Sequence, residues 1–364
     1  MRTLRKSIQS KWGLIFENIL YIMNNMKKKA IALLSGGLDS TLALKIVLDL
    51  GFEVIALNMK TPFCTCDGKS GVCNSSKFAQ EFGIKLVRIF GGEDYLKIVK
   101  NPEHGYGRNL NPCIDCRIYL FKKAKELMEK EGAVFIFTGE VLGERPMSQR
   151  LDAMKLIERE SVLKGKVLRP LSAKLLEPTL PEKEGIVDRS ALLNLQGRSR
   201  KRQIQLAGDY QIRDYPCPAG GCLLTEENFA RRLKDSFDHN EDALRHISLL
   251  KIGRHFRLPA QDGSNSKEVK LIVGRNQEEN NLLLSLAQQE EAKFTVKEFK
   301  GALGVLLGEP LPGSINLSAR ISARYCKEKS LAFLKVKIWT NSEDEHQEIE
   351  VTPLEDAQIE FYRV

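Results

Sequence analysis

The sequence predicts a doubly wound, parallel α/β sheet followed by a smaller α+β domain. Two observations carry this. The first half alternates short apolar runs with helical periods, the pattern of βα units that lay strands side by side in parallel. After about residue 225 that alternation gives way to strand-like runs joined by polar turns. At 364 residues the chain is too long for one small domain.

The elements follow in order. Ala30–Leu34 is a short apolar run ended by Ser-Gly-Gly, which suits a buried parallel strand. Residues 40–50 have helical periodicity and stop at Gly51. Residues 53–58 form the next strand, and a cysteine-rich loop spans 61–73. A helix over 74–82 ends at Gly83, a third strand covers 84–90, and a long amphipathic helix covers 114–130. Residues 134–138 form a fourth strand, followed by Gly139-Glu140. In such sheets ligands bind beyond the carboxyl ends of the strands, where the 35–40 loop, Asn58-Met59 and Thr138-Gly139-Glu140 all lie. From Lys166 the chain is Pro-punctuated, with short helices near 188–195 and 199–207. Strands at 251–258 and 267–274 flank a turn at 261–266, residues 276–287 read as helix, and residues 333–339 alternate like a strand.

The chain is 42% hydrophobic and 28% charged, so a core can form without disulfide staples. Its formal charge of +9 is compatible with a polyanionic partner but does not demand one. No run approaches the ~18 apolar residues of a membrane span, and no signal peptide is read at the start, so the expectation is a cytoplasmic chain with no membrane partner. Met26-Lys27-Lys28-Lys29 would itself make a normal start, and no chemistry is assigned to residues 1–25.

Ser35-Gly36-Gly37-Leu38-Asp39-Ser40 joins strand to helix. Two glycines let the backbone approach an anion, and amides at a helix N-terminus face it. Ser35 and Ser40 add hydroxyls, and Asp39 is placed to hold the Mg²⁺ that accompanies a nucleotide. The competing reading is a tight strand-to-helix turn. No Lys follows the glycines, so this is not a G-x-x-x-x-G-K-[ST] loop. It resembles the SGGxDS loop of the PP-loop ATP pyrophosphatases (adenine nucleotide alpha-hydrolase-like fold). That resemblance implies ATP cleavage to AMP and pyrophosphate, with adenylation of a substrate.

Close cysteine pairs in a reducing compartment point to metal, cluster or redox chemistry. Cys113-Ile114-Asp115-Cys116-Arg117 opens the long helix, where the dipole and Arg117 favour thiolates. Cys222 follows Ala219-Gly220-Gly221 on an open loop. Cys113, Cys116 and Cys222 are a set that can hold a [4Fe–4S] cluster, or carry a persulfide with a resolving thiol. Each alone could equally be a small buried hydrophobe. Cys64, Cys66 and Cys73 give three thiols with no clear fourth ligand, unless His104 supplies it. Cys217 and Cys326 read as structural.

Between Cys113 and Pro181 the chain resembles the ATP-dependent domain of tRNA 4-thiouridine synthetases. The carrying residues are Cys113-x-x-Cys116-Arg117, Thr138-Gly139-Glu140-x-Leu142-Gly143 with Ser148-Gln149, and Leu168-Arg169-Pro170-Leu171. A looser similarity to tRNA 2-thiouridine synthetases rests on Asn111-Pro112 with Cys116, and on Cys222 as a second catalytic cysteine. Residues about 226–312 resemble the RNA-binding module of NFACT proteins, through His255-Phe256, Leu271-Ile272-Val273-Gly274-Arg275-Asn276 and Glu279-Asn280-Asn281-Leu282.

The resemblance implies an ATP-dependent tRNA sulfurtransferase that adenylates a uridine carbonyl and replaces its oxygen with sulfur. Cys116, Cys222 and Asp39 would be catalytic. ATP would be held by Ser35, Gly36, Gly37, Leu38, Asp39, Ser40, Asn58, Met59, Thr138, Gly139, Glu140 and Gln149, the last on the following helix. Partners would be tRNA and a sulfur donor such as a cysteine desulfurase or inorganic sulfide. The domains would be an extension at 1–26, a thiolation domain at 27–225, an RNA-binding domain at 226–312 and a β-rich segment at 313–364. Arg198, Arg200, Lys201, Arg202, Arg231, Arg232, Lys251, Arg254 and Arg257 are candidate phosphate contacts, with Phe256 nearby for a base. The rivals are a sulfur transferase for a small molecule and a nucleotide-sensing RNA or ribosome adaptor.

Overall fold

The computed structural model describes residues 28–65, 74–213, 215, 222–259 and 268–364. Cys66, Cys73, Cys217 and the turn expected at 261–266 lie outside them. The chain divides into two compact units, Met1–Leu223 and Leu224–Val364.

The first unit runs β1 (Lys29–Leu33), α1 (Leu38–Asp49), β2 (Glu53–Lys60), α2 (Asn74–Glu81), β3 (Lys85–Phe90), α3 (Glu93–Lys100), α4 (Cys113–Glu131), β4 (Phe135–Thr138), α5 (Leu151–Glu160) and β5 (Val167–Leu168), with α6 (Leu180–Lys183) and α7 (Lys201–Asp209) after the last strand. The strands lie in the order β3-β2-β1-β4-β5, all parallel. Side chains of a strand alternate between faces, and here both faces are covered. Ala30, Ala32, Val54, Ala56, Phe135 and Phe137 join one core, with Leu42 and Val47 of α1. Ile31, Leu33, Ile55, Leu57 and Ile136 join the other, with Ile118, Phe121 and Leu127 of α4 and Ile157 of α5. Two buried faces explain why these strands read as continuous apolar runs.

The strand order reverses between β1 and β4, and that switch point is where such a sheet opens a crevice. The 35–37 loop after β1 and the 139–150 segment after β4 stand there. Helix α3 has no counterpart in the sequence reading. It buries Tyr95, Leu96 and Val99 and carries Glu93 and Asp94 in its first turn, where the helix dipole favours acids.

The second unit runs α8 (Glu227–Asp238), α9 (Leu244–Leu249), β6 (Arg254–Pro259), β7 (Glu268–Val273), α10 (Gln277–Leu286), β8 (Ala292–Val296), β9 (Gly304–Leu307), α11 (Pro312–Arg324), β10 (Leu334–Trp339), β11 (Gln347–Val351) and α12 (Asp356–Tyr362). Its sheet is antiparallel, in the order β11-β10-β8-β9-β7-β6. Residues 313–364 are therefore not a segment apart. β10 pairs with β8, and residues of α11, β10 and β11 share one core with β6–β9. Helix α11 is also unforeseen. Much of its buried face is Ser and Ala (Ser314, Ser318, Ala319, Ser322, Ala323), so the apolar period is faint in the sequence.

Candidate active site

The loop after β1 is held by its own hydroxyls. Ser35 Oγ lies 3.0 Å from Ser40 Oγ, and Ser40 Oγ donates to the Gly37 carbonyl at 2.9 Å. Gly36 has φ +80°, and a Cβ there would fall 2.5 Å from Ser75 N at the start of α2. A Cβ on Gly139 would fall 2.4 Å from the Asp39 carbonyl carbon and from Ser40 N. The end of β4 thus lies directly against the first turn of α1, a contact only glycine permits. Leu38 points into the core rather than the crevice. Asn58 Nδ2 donates to the Leu34 carbonyl at 2.8 Å, tying β2 to β1, and Met59 is half-buried beside it.

Asp39 is only partly exposed. Its Oδ2 accepts from Arg200 Nη2 at 2.6 Å, and Arg200 Nε lies 3.4 Å from Glu144 Oε1. Asp39 Oδ1, Glu144 Oε2 and Arg200 Nε are buried and lack hydrogen-bond partners. Burial and the neighbouring Asp39 carboxylate hold the Glu144 carboxyl above its ordinary range, against the pull of Arg200. Two inward-facing carboxylates with a vacant oxygen each suit a hard cation. Arg200, expected on an RNA-facing basic run, belongs instead to the phosphate loop; its neighbours Arg198, Lys201 and Arg202 are exposed.

Thr138 and Glu140 close the floor. The Glu140 N–H donates to Thr138 Oγ1 at 3.2 Å. Glu140 is buried between Arg169 Nε at 3.0 Å and Arg117 Nε at 3.4 Å. Burial pushes its carboxyl up, but the two guanidinium groups outweigh that and hold it below the usual range. Glu140 thereby links the C-x-x-C helix to the Arg169-Pro170 segment. Gln149 lies in the turn before α5, not on a helix as expected. Its Oε1 accepts from the Arg145 N–H at 3.0 Å and its carbonyl from the Gly143 N–H at 2.7 Å, so it shapes the loop that carries Glu144.

The cysteines gather on the same edge of the sheet. Cys64 follows β2, Cys113 and Cys116 open α4, and Cys222 forms an isolated antiparallel bridge with Cys64. Tyr95 of α3 is buried, and its hydroxyl hydrogen-bonds the Cys116 thiol with Cys222 and Cys64 close by. Burial pushes the phenol far above its ordinary range, and the neighbouring sulfurs add to this. Burial also pushes the Cys113 and Cys116 thiols up, over the opposing effect of Arg117 on both. The expected thiolate-favouring balance at this helix start is therefore reversed, because desolvation outweighs the nearby charge. His104, the fourth ligand the sequence offered for Cys64, Cys66 and Cys73, is paired with Asp115, and Cys66 and Cys73 lie outside the described residues. The His104 Nδ1 lies 3.0 Å from Asp115 Oδ1, and its backbone N–H donates to Asp115 Oδ2 at 3.1 Å.

In the second unit, Phe256 and His255 are buried, so neither can stack on a base. Arg257 is buried too, in an ion network with Asp235, Glu241 and Lys270. The basic surface is made by other residues. Arg254 stacks on Tyr325, its Cζ 4.3 Å from the ring centroid, and Arg363 lies 5.5 Å from the Phe256 centroid. Burial lowers the pKa of Arg232, and Arg275, Arg231 and Arg363 nearby lower it further, which marks a cluster of like charge.

A five-stranded parallel sheet with Ser35–Ser40 at its switch point defines the first unit as an α/β fold of the PP-loop type. Residues 25–176 match the family model described as thiamine biosynthesis protein (ThiI), and residues 253–363 match that of the NFACT protein RNA binding domain. The chain thus joins a ThiI-type PP-loop segment to an NFACT-type RNA-binding domain. It is 30% identical over 122 residues to the tRNA-specific 2-thiouridylase MnmA of Leptospira biflexa, covering 28% of this chain and 31% of that protein. It is 29% identical over 146 residues to a probable tRNA sulfurtransferase of Thermococcus kodakarensis, covering 39% and 36%. The chain therefore spans about a third of the length of the curated relatives it matches. A 4-thiouridine synthetase–RNA complex with bound ATP aligns with a TM-score of 0.34 and 20% identity, over 61% of this chain and 53% of that one. Among the described residues, no helix is long and apolar enough to cross a membrane.

Proposed function

We propose that this protein is a cytoplasmic, ATP-dependent tRNA sulfurtransferase that adenylates a uridine carbonyl and replaces its oxygen with sulfur. One observation carries the reading: the phosphate loop and the thiols of Cys64, Cys116 and Cys222 all lie beyond the carboxyl ends of the same parallel strands. A site that activates an oxygen as a phosphate ester and one that delivers sulfur are thus built on one edge.

The residues take these roles. The amides of residues 36–40 and the hydroxyls of Ser35 and Ser40 receive the ATP phosphates. Asp39 and Glu144 would hold Mg²⁺, which supplies charge neutralisation at the phosphates. Asn58, Met59, Thr138 and Gly139 wall the nucleotide. Glu140 and Gln149 act at one remove, through the arginines and the loop they fix. The uracil oxygen attacks the α-phosphorus, pyrophosphate leaves, and the carbon becomes open to a sulfur nucleophile with AMP as leaving group. Arg200, paired with Asp39 beside the loop, is positioned to reach the phosphates.

Cys222 carries the sulfur as a persulfide received from a sulfane-sulfur donor such as a cysteine desulfurase; inorganic sulfide would serve only the cluster route. The thiols also have the soft donor chemistry for a [4Fe–4S] cluster, which Cys113, Cys116 and Cys222 would hold and which would supply an iron able to bind sulfide. The persulfide route is favoured by the Tyr95 hydroxyl, a proton donor bonded to the Cys116 thiol and within electrostatic reach of Cys222 and Cys64. Capture of tRNA falls to the basic cluster of the second unit.

Nucleoside mass spectrometry of total tRNA from cells with and without the protein tests this. One thiolated nucleoside is expected to vanish, and to return with wild type but not with Cys222→Ala. An unchanged profile, in a strain without a redundant thiolase, would reject the tRNA reading.

A further inference from the structure

Cys64 has been given no chemical role so far, yet it is held on two sides. It closes the turn after β2, where the Thr61 N–H donates to its Sγ at 3.3 Å and Thr61 Oγ1 lies 3.4 Å away. Opposite it stands Cys222, as an antiparallel bridge partner. The Leu223 N–H donates to the Phe63 carbonyl at 3.0 Å, so the backbone bond flanks the two cysteines rather than joining them. That pattern defines a non-hydrogen-bonded pair, in which facing Cα atoms are ~4.5 Å apart and both side chains project from the same face. A disulfide spans Cα separations of roughly 4.4–6.8 Å, so these two backbones already sit at bonding distance. Both sulfurs act electrostatically on the Tyr95 phenol, which is itself bonded to the Cys116 thiol, so the pair shares the neighbourhood of Cys116.

Cys116, the partner that the family resemblance offers for Cys222, is held differently. It is on α4, has no backbone pairing with Cys222, and its thiol is bonded to Tyr95.

We propose that Cys64 is the resolving thiol for Cys222. The inference rests on the sulfurtransferase reading above and adds the residue that ends the cycle. The distal sulfur of the Cys222 persulfide attacks the adenylated carbon and AMP leaves, which joins the base to Cys222 through a disulfide. Cys64 then attacks Cys222 Sγ. The bond from Cys222 to the base-borne sulfur breaks, and that sulfur leaves with the electron pair and takes up the proton lost by Cys64. A Cys64–Cys222 disulfide remains. The two cysteines have lost two electrons, and the transferred sulfur has gained them to become the thiocarbonyl. A dithiol reductant then restores both thiols. Attack along a preformed cross-strand pair needs no movement of the backbone, which is why this step belongs to Cys64.

The experiment uses the full-length protein, loaded with sulfur by brief treatment with polysulfide and desalted. It is mixed with ATP, Mg²⁺ and total tRNA from cells lacking the protein, with no reductant. Thiolated nucleoside is measured by mass spectrometry, and the cysteines are mapped by non-reducing peptide analysis. Wild type is expected to yield a linked 64–222 peptide in proportion to product. Cys64→Ser is expected to lower release of thiolated tRNA about tenfold or more and to accumulate a tRNA–protein adduct that dithiothreitol frees. The adduct itself shows that the variant folds, binds ATP and completes the attack. A linked 116–222 peptide, or unchanged release from Cys64→Ser, overturns the proposal while leaving the thiolation reading intact. A wild type that makes no thiolated nucleoside overturns both.

Discussion

Each unit of this protein buries a cluster of opposed charges, and the two clusters are finished to different degrees. In the second unit, Arg257 donates to both Asp235 and Glu241, and Lys270 Nζ reaches Asp235 at 2.9 Å and Glu241 at 3.3 Å. No polar side-chain atom of these four is buried without a partner. In the first unit, Asp39, Glu144 and Arg200 each retain one buried atom with no hydrogen-bond partner. A buried polar group without a partner is costly, and three such atoms gathered beside the phosphate loop mark a place that a ligand can complete. The satisfied cluster is part of the core of its unit; the unsatisfied one lies against the phosphate loop, at the place proposed above for Mg²⁺.

The comparison breaks most sharply on stability. Lys270→Met leaves two buried carboxylates sharing one guanidinium. Removing one partner of a buried pair costs about 3–5 kcal/mol. The midpoint of urea unfolding followed by Trp339 emission, which reports the second unit, is expected to fall accordingly. A change within about 0.5 kcal/mol would mean the cluster is dispensable, as for an ordinary surface substitution.

Asp39→Asn is the counter-test. It relieves a like-charge contact with Glu144 and turns the ion pair with Arg200 into a neutral hydrogen bond while Glu144 still faces that guanidinium, so the thermal midpoint should change little. AMP formation from ATP should fall by about 10²–10³-fold, the scale for losing a group aimed at transition-state charge. A variant that melts well below wild type would make this cluster structural too, and remove the argument for a cation between the two carboxylates.

What the sequence showed and hid follows the same division. The parallel sheet, the Ser35–Ser40 loop and the end of β4 were legible because each is local: an apolar run, two glycines, a helix start. The site's cross-chain partners were not. Arg200 is 161 residues from Asp39 and sits in a basic run that reads as a solvated face. Cys64 looked like one of three thiols lacking a fourth, because nothing local announces a bridge to Cys222. Tyr95 was missed with its helix, although Gly92-Glu93-Asp94 followed by Tyr95, Leu96 and Val99 carries a start signal and an apolar face. Phe256 illustrates the opposite error. An aromatic among arginines looked like a base-stacking residue, but on β6 it points into the core.

Acid separates the clusters further. Burial alone would raise the Asp235 and Glu241 carboxyls, but Arg257 and Lys270 outweigh it and hold both below their ordinary values. A carboxyl whose folded pKa is depressed contributes stability that is fully present above its unfolded value. That contribution is lost as pH falls through the folded value. The Trp339-reported transition should therefore weaken progressively as pH drops below about 4, and the weakening should be largely absent in Asp235→Asn/Glu241→Gln, compared with that variant's own stability at pH 7. An equal loss in both proteins would place the acid sensitivity elsewhere.

The smallest effect sharpens the contrast within one strand. Arg254 and Arg257 are three residues apart on β6, so their side chains leave opposite faces of the sheet. Arg257 enters the ion network, whereas Arg254 lies over Tyr325, half-buried near Arg275 and Arg363, with Glu279 the carboxylate in reach. Burial and two neighbouring guanidinium groups lower the Arg254 pKa, and a polyanion would relieve that strain on its charge. Arg254→Ala should leave the urea midpoint within about 0.5 kcal/mol. The slope of log affinity for tRNA against log salt should become shallower by about 0.9, the value for one lost phosphate contact. An unchanged slope would remove Arg254 from the RNA surface and shift the search to the exposed run of Arg198, Lys201 and Arg202 in the first unit.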